Sequence, residues 1–158
     1  MFQKKIYPEI QILENKNLEN NYVLQFDGCS KGNPGLAGAG AVILKNGKEI
    51  WCDSLFVSEK ATNNQAEYAG LILGLKAAIE LQISELHVEG DSALVIRQIN
   101  GEYNVHSSNL LELYEAAKQL QTNFKTISFS HIYRDKNKRA DELANSAVQR
   151  LPPIVKIV

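Results

Sequence analysis

The chain has 158 residues, of which 44% are hydrophobic and 22% are charged, and its 17 basic and 18 acidic residues leave a formal charge of −1. This composition is typical of one folded globular domain and argues against a disordered chain. The near-zero charge also argues against a protein that holds polyanions through a broad positive field, so any nucleic-acid function has to come from a local site.

Neither targeting nor disulfide signals are evident in the sequence. No apolar run approaches the roughly 20 residues that span a bilayer, and the N-terminus lacks the apolar stretch and cleavage site of a signal peptide. We therefore expect a cytoplasmic protein without membrane contact. Cys29 and Cys52 fit neither a disulfide framework nor a zinc spacing, and we expect both to be free thiols.

Three strands are predicted first, after an accessory segment over residues 1–20 that is rich in Asn, Lys and Glu. The strands follow in the order 22–26, 41–44 and 48–57. A glycine-dense stretch over residues 28–40 separates the first two strands, and we interpret it as a turn. Asn46-Gly47 joins the second strand to the third and is typical of a two-residue hairpin, because both residues tolerate positive φ. The three strands are therefore expected to form an antiparallel meander.

Helices and strands alternate in the rest of the chain. The predicted order is helix 63–81, strand 85–90, helix 92–99, helix 108–121, strand 126–131 and helix 137–150. Thr62 and Gln65 have the spacing of a capping box at the start of the first helix, and Asn137 can cap the last one. Strands joined through helices are parallel, so the sequence predicts an α/β domain with a mixed five-stranded sheet flanked by helices.

Four carboxylates occupy places where α/β sheets bind ligands. Asp27 and Asp91 follow the first and fourth predicted strands, Glu67 lies in the first turns of the long helix, and Asp141 lies near the start of the last helix. Each acid alone is more commonly a cap or a helix-dipole partner. Four acids together would repel one another unless they bound cations, and oxygen ligands of this kind suit Mg²⁺ or Mn²⁺ in phosphoryl transfer.

The segments that contain these acids follow one another in a recognisable order. They are Asp27-Gly28-Cys29-Ser30-Lys31-Gly32-Asn33-Pro34-Gly35, then Thr62-Asn63-Asn64-Gln65-Ala66-Glu67, then Gly90-Asp91-Ser92, and finally His131 followed by Asn137-x-x-Ala140-Asp141-Glu142-Leu143-Ala144. In this order and at these spacings they resemble the signature segments of type 1 ribonuclease H. The resemblance covers residues 22–150 and implies a ribonuclease H-like catalytic domain over residues 21–150, followed by a C-terminal tail over residues 151–158.

The resemblance implies an endoribonuclease that hydrolyses the RNA strand of RNA–DNA hybrids and leaves 5′-phosphate and 3′-hydroxyl ends. It makes Asp27, Glu67, Asp91 and Asp141 the ligands of two Mg²⁺ ions, with Mn²⁺ as the alternative. One ion would activate the attacking water, and the other would stabilise the leaving 3′-oxygen. His131 stands ten residues before Asp141, at the place of the family's mobile active-site histidine, which is thought to assist proton transfer or product release. The other two histidines match no family position and are expected to be structural.

The resemblance also implies a surface that contacts the minor groove of the hybrid and recognises the RNA 2′-hydroxyl groups. The residues that it assigns to substrate binding are Gly28, Cys29, Ser30, Asn33, Thr62, Asn63, Asn64 and Gln65. The residues alone also allow a structural interpretation, in which the asparagines form the turn and the start of the helix. Thr62 and Gln65 could divide between capping and substrate contact. A nucleotide-binding loop is disfavoured, because no Gly-Lys-Ser/Thr motif follows the glycines.

The sequence departs from the family members that carry a basic, Trp-containing protrusion. The corresponding stretch, residues 100–106, is short and not basic, which places the chain nearer to the protrusion-less, archaeal- and plant-like subtype. Trp51 is expected to pack on the sheet, and the basic run 134–139 is either a solvated loop or a phosphate contact. We expect a monomer. Two alternative functions remain open at this point, a non-catalytic hybrid-binding module and a phosphomonoesterase activity of the same metal site.

Overall fold

The computed structural model describes residues 21–149, so the predicted accessory segment and C-terminal tail lie outside the described residues. Their interpretation remains a prediction. The strands are β1 (Tyr22–Ser30), β2 (Gly35–Lys45), β3 (Lys48–Ala61), β4 (Glu85–Gly90) and β5 (Thr126–His131). The helices are α1 (Asn63–Glu80), α2 (Ala93–Ile99), α3 (Ser108–Gln121) and α4 (Lys138–Gln149). A short 3₁₀ turn over Arg134–Lys136 precedes α4.

The strands form one sheet in the order β3-β2-β1-β4-β5. β1 pairs antiparallel with β2, and β2 pairs antiparallel with β3, whereas β4 lies parallel to both β1 and β5. The predicted mixed five-stranded sheet is therefore confirmed. Among residues 21–149, no helix has the length and apolar character needed to cross a membrane.

The main core lies between one face of the sheet and the helices α1 to α3. Leu24 and Phe26 of β1 point into this core, where they meet Tyr68 and Leu71 of α1, and all four side chains are fully buried. Burial of each such side chain contributes about 1.5–3 kcal/mol of hydrophobic stabilisation. Trp51 packs against the edge of the same core, as predicted. The helix α4 lies on the opposite face, against β2 and its neighbours.

The glycine-dense stretch over residues 28–40 differs from the prediction. It contains the end of β1 and the start of β2, and only residues 31–34 form the turn between them. Gly28, Gly38 and Gly40 lie where helices approach the sheet. A Cβ atom on Gly28 would stand 2.1 Å from the carbonyl carbon of Ala66 in α1, and one on Gly40 would stand 2.6 Å from the carbonyl oxygen of Ala140. Close helix–sheet packing explains these three glycines, whereas Gly32 and Gly35 pack against each other at the turn.

Two further details differ from the sequence prediction. The third strand runs to Ala61 instead of residue 57, because β2 begins earlier and Gly35 pairs with Ala61. Asn137 precedes α4, but its side chain does not cap that helix. Its Nδ2 donates instead to the carbonyl oxygen of Phe26, at 2.9 Å, and the residue is fully buried. This bond ties the start of α4 to β1 at the residue before Asp27.

Candidate active site

Three of the predicted carboxylates converge where the parallel pairing of β1 and β4 ends. Phe26 pairs with Gly90 in the last pair, so Asp27, which continues in β1, and Asp91, which directly follows β4, come close together. Glu67 reaches them from the start of α1. The three residues can each offer a carboxylate oxygen within 4.8 Å of the others. We call Asp27, Glu67 and Asp91 the carboxylate trio.

Close packing of α1 against β1 brings Glu67 to this edge. A Cβ atom on Gly70 would stand only 2.5 Å from the carbonyl oxygen of Asp27, so a larger residue in α1 would push the helix away. The packing also removes the acids from solvent, and Asp27 and Glu67 are only 4% and 7% exposed. Gly28 in β1 and Gly70 in α1 allow this close approach. The two glycines therefore also contribute to the burial of the acids.

Burial changes the ionisation of these acids. Burial and, to a smaller extent, the negative charge of Asp91 raise the pKa of Asp27 to about 7, against a hydrogen bond from Glu67 that lowers it. Burial also raises the pKa of Glu67, as does the neighbouring charge of Asp27. Two such carboxylates ionise together only when a cation offsets their repulsion.

The donor set of the trio fits a hard divalent cation. Oε2 of Glu67 is buried without a hydrogen-bond partner, which leaves a full carboxylate oxygen available as a ligand. The three residues offer only carboxylate oxygens, the ligand type that Mg²⁺ and Mn²⁺ prefer. The trio is therefore a group that could bind a metal ion.

Asp141 lies in the first turn of α4 and lines the same cleft as the trio, but it is not one of the three residues whose oxygens lie within 4.8 Å of one another. It is half-buried, whereas Asp27 and Glu67 are buried. Asn145, one turn later in α4, donates through Nδ2 to the Asp141 carbonyl oxygen at 2.9 Å and to its Oδ1 at 3.1 Å. The structure thus brings all four predicted acids to one cleft, with Asp141 at its α4 side.

The cleft has a volume of about 470 Å³ and opens to solvent around the acids. The predicted site residues that line it, besides the acids, are Gly28, Cys29, Asn63 and Asn64. Lys31, Ser92 and Asn145 also line the cleft and were not predicted as site residues, and Arg134, from the run predicted as a solvated loop or a phosphate contact, lines it too. Ser92 also caps α2, since its Oγ accepts from the backbone of Val95. The i,i+4 spacing from Asp141 is the sequence signal that could have identified Asn145.

Ser30, Asn33 and Asn63 lock the β1–β2 turn onto the start of α1. The backbone N–H of Ser30 donates to Oδ1 of Asn63 at 2.8 Å, and the backbone N–H of Asn63 donates to Oδ1 of Asn33 at 3.0 Å. Asn33 adopts a positive φ of 38°, which asparagine tolerates better than most residues. The two asparagine side chains therefore hold the turn and the helix start together, as the structural interpretation expects, whereas the substrate contacts of Ser30, Asn33 and Asn63 stay a prediction.

Thr62 and Gln65 form the predicted capping box. The backbone N–H of Gln65 donates to Oγ1 of Thr62 at 3.2 Å, and the backbone N–H of Thr62 donates to Oε1 of Gln65 at 2.8 Å. Neither residue lines the cleft. The capping part of the prediction is confirmed, and the substrate contact of the two residues stays a prediction.

His131 is exposed at the end of β5, beside the trio and not within it. Its Nε2 lies 3.3 Å from the carbonyl oxygen of Asp91, and its ring meets Tyr133 edge-on at a centroid distance of 5.7 Å.

His87 behaves as a structural residue, because its ring nitrogens lie 2.6 and 2.9 Å from the hydroxyls of Ser128 and Ser130 on the neighbouring strand.

The basic run divides between two sides of the molecule. Arg134 lines the cleft, whereas Arg139 points to β3 and binds Glu49 at 2.8 Å and Glu142 at 2.9 Å.

Residues 100–106 form a short connection between α2 and α3, without a protrusion. Both cysteines are free and half-buried, as predicted.

The sequence of this chain is similar to a known protein family and to several curated proteins. The sequence model of the reverse transcriptase-like family matches residues 25–147. A bifunctional protein of Mycobacterium tuberculosis is 42% identical over 127 residues, which make up 80% of this chain and 35% of that protein. The chain therefore spans about a third of the length of the first curated relatives that it matches.

Two solved structures extend the similarity to the backbone. Ribonuclease H1 of the archaeon Halobacterium salinarum superposes with a TM-score of 0.79 at 37% identity, over 82% of this chain and 98% of that one. A ribonuclease H1 from compost, solved in complex with an RNA/DNA hybrid, superposes with a TM-score of 0.77 at 34% identity, over 82% of this chain and 98% of that one. The chain thus belongs to the ribonuclease H-like family.

Proposed function

We propose that this chain is a metal-dependent endoribonuclease that hydrolyses the RNA strand of RNA–DNA hybrids and leaves 5′-phosphate and 3′-hydroxyl ends. The observation that carries the proposal is the carboxylate trio, three acids within 4.8 Å of one another in a ribonuclease H-like fold. The hybrid bound by a relative of 34% identity supports the choice of substrate.

The proposed metal ligands are Asp27, Glu67, Asp91 and Asp141, and the proposed cofactor is a pair of Mg²⁺ ions, with Mn²⁺ as the alternative. The unpartnered Oε2 of Glu67 and the buried charge of Asp27 support this assignment, since a cation would satisfy the first and stabilise the second. Bound ions of this kind supply an activated water for in-line attack on the phosphate and stabilise the leaving 3′-oxygen.

His131 is the proposed proton-transfer residue. Its exposure leaves the ring free to meet solvent, and its contact with the carbonyl oxygen of Asp91 keeps it within reach of the cleft. An imidazole at this place can take up a proton from a reacting water or deliver one to a departing product.

The proposed substrate contacts lie on the β1–β2 turn and the start of α1. Gly28, Cys29, Asn63 and Asn64 line the cleft, which supports contact with the minor groove and the 2′-hydroxyl groups. Ser30 and Asn33 are proposed to act on the substrate from the same turn, which their hydrogen bonds hold in place. Thr62 and Gln65 are proposed to contribute at the helix start that they cap.

The proposal also covers the extent of the catalytic domain, the oligomeric state and the cellular compartment. We assign the catalytic domain to residues 21–150 and propose a monomer that acts in the cytoplasm. The short α2–α3 connection and the net charge of −1 support the protrusion-less subtype and a substrate held by local contacts.

A cleavage assay with a labelled RNA strand tests the proposal. The protein is incubated with hybrid, double-stranded RNA, single-stranded RNA and single-stranded DNA, each with Mg²⁺, Mn²⁺ or EDTA. Cleavage of the hybrid is expected with metal, and none is expected with EDTA or with single-stranded DNA. The new 5′ ends should accept a label from polynucleotide kinase only after phosphatase treatment, because they carry a phosphate.

The competing functions give different results in the same assay. A non-catalytic module would bind the hybrid equally with and without metal and would leave it intact, which would overturn the proposal. A small aryl phosphate, added as a further substrate, tests the phosphomonoesterase alternative. Hydrolysis of that compound with an intact hybrid would equally contradict the proposed function.

A further inference from the structure

A chain of hydrogen bonds runs along one wall of the cleft and ends at Asp141. Lys31, in the β1–β2 turn, donates from Nζ to Oδ1 of Asn145 at 2.5 Å. Asn145 then donates from Nδ2 to Oδ1 of Asp141 at 3.1 Å and to its carbonyl oxygen at 2.9 Å. All three residues line the cleft, so the chain connects a surface turn with one of the four acids.

Asp141 needs such a partner more than Asp27 and Glu67 do. Burial and dense packing restrict Asp27 and Glu67, which are 4% and 7% exposed. Asp141 is half-buried on a helix at the side of the cleft, where its side chain has more rotational freedom. The bond from Asn145 holds Oδ1 of Asp141 on the side of the cleft that carries α4.

Lys31 adds to the forces that turn the amide of Asn145 towards Asp141. An ammonium group has donors only, so it can bind the amide oxygen but not the amide nitrogen. This contact turns the NH₂ group of Asn145 towards Asp141. Without Lys31, the amide oxygen of Asn145 loses this donor, and only the two bonds to Asp141 hold the amide in its orientation.

We propose that Asn145 is a positioning residue for Asp141 and that Lys31 acts through Asn145 by fixing the orientation of its amide. This inference rests on the proposed function, because the orientation of Asp141 matters as a metal ligand only if the acids bind metal. Residues that orient metal ligands typically contribute about 10-fold or more to metal affinity or activity.

Three variants test the pair, namely Asn145→Ala, Lys31→Met and the double variant. Gln149→Ala, an exposed amide at the end of α4, and Lys48→Met, an exposed lysine in the β2–β3 hairpin, are matched controls. Two quantities are measured for each protein: Mn²⁺ binding by calorimetry without nucleic acid, and kcat and KM for hybrid cleavage over a range of Mn²⁺ concentrations. Circular dichroism melting reports on the fold.

The proposal predicts a specific pattern in the Mn²⁺ affinity and in the kinetics of the variants. Each single variant should weaken Mn²⁺ binding and raise the Mn²⁺ concentration for half-maximal kcat by about 10-fold, with KM for the hybrid unchanged. The double variant should be no worse than Asn145→Ala, because Lys31 acts only through Asn145. The controls should match the wild type. Lys31→Met removes only an exposed side chain, so it still tests the proposal if Asn145→Ala lowers the melting temperature.

Other results would overturn the proposal. Mn²⁺ binding as in the wild type in both single variants would remove the positioning role. A higher KM and a weaker salt dependence for Lys31→Met, with unchanged Mn²⁺ binding, would instead make Lys31 a phosphate contact. If the wild type does not cleave the hybrid, the proposed function is refuted, whereas the Mn²⁺ titration still decides whether Asn145 and Lys31 orient Asp141.

Discussion

The buried carboxyl group of Asp27 is expected to make the metal-free protein less stable at pH 8 than at pH 5. Asp27 is 4% exposed, and its burial, together with the charge of Asp91, raises its pKa from 3.8 to about 7. Between about pH 4 and pH 7 the folded protein therefore keeps a proton that the unfolded chain has lost. Because the folded state binds more protons in this range, the free energy of unfolding falls as the pH rises through it.

The size of the effect follows from the pKa. At about 1.4 kcal/mol per pKa unit, a rise from 3.8 to about 7 corresponds to a loss of about 4 kcal/mol by pH 8. This is a large part of the 5–15 kcal/mol that stabilises a typical domain. Asp27→Asn removes the ionisation but keeps the shape. It should raise the free energy of unfolding by up to about 4 kcal/mol at pH 8 and change it little near pH 4.

Urea unfolding in EDTA, followed by circular dichroism from pH 4 to pH 8.5, measures this difference. Asp53→Asn is the control, because Asp53 is an exposed acid on β3, and its curve should run parallel to that of the wild type. Added Mn²⁺ should stabilise the wild type at pH 8 much more than Asp27→Asn, since a bound cation replaces the proton. Parallel wild-type and Asp27→Asn curves in EDTA would refute the argument from burial.

Two further predictions concern the packing that builds the site. Gly40→Ala should lower the free energy of unfolding in urea by about 1–3 kcal/mol or more, because its Cβ would stand 2.6 Å from backbone atoms of Ala140 and Ala144; unchanged stability would show that α4 can move away without cost. Thr62→Ala should cost about 1 kcal/mol through loss of the α1 cap, and Thr62→Ser should restore it, whereas equal stability of Ala and Ser variants would contradict the capping role.

The order of the elements and the approach of the acids could be predicted from the sequence because both depend on local patterns. Asp27 comes one residue after the last pair between β1 and β4, and Asp91 directly follows β4, so a parallel pairing of those strands brings the two acids together in any register close to the observed one. The capping box at Thr62 is likewise a local signal. These features need only the sequence within a few residues of the element that carries them.

The roles of the glycines depend on contacts that a local pattern does not contain. Gly38 and Gly40 resemble turn residues in the sequence, but they lie in β2. These two strand positions are glycines because α4, which begins almost a hundred residues later, packs directly on them. A Cβ atom on Gly38 would stand 2.4 Å from the carbonyl oxygen of Ala144. No periodicity around residue 38 indicates such a neighbour.

The same limit applies to the wall of the cleft. Lys31 and Asn145 are 114 residues apart, and only the folded chain brings them into contact. Asn137 has a residue type and a place that are typical of a helix cap, yet its side chain bonds to Phe26, a partner 111 residues away. The contacts of Lys31, Asn145 and Asn137 could not be predicted because no local pattern at one partner indicates the other.

The measurement that tests the central claim most directly is the rate of hybrid cleavage by wild type and by Asp91→Asn at saturating Mn²⁺ or Mg²⁺. Asp91 belongs to the carboxylate trio, so its amide variant should fold as the wild type does and cleave at background rate, while Asp53→Asn should keep wild-type activity. An Asp91→Asn variant with full activity would contradict the assignment of the trio as the catalytic metal site.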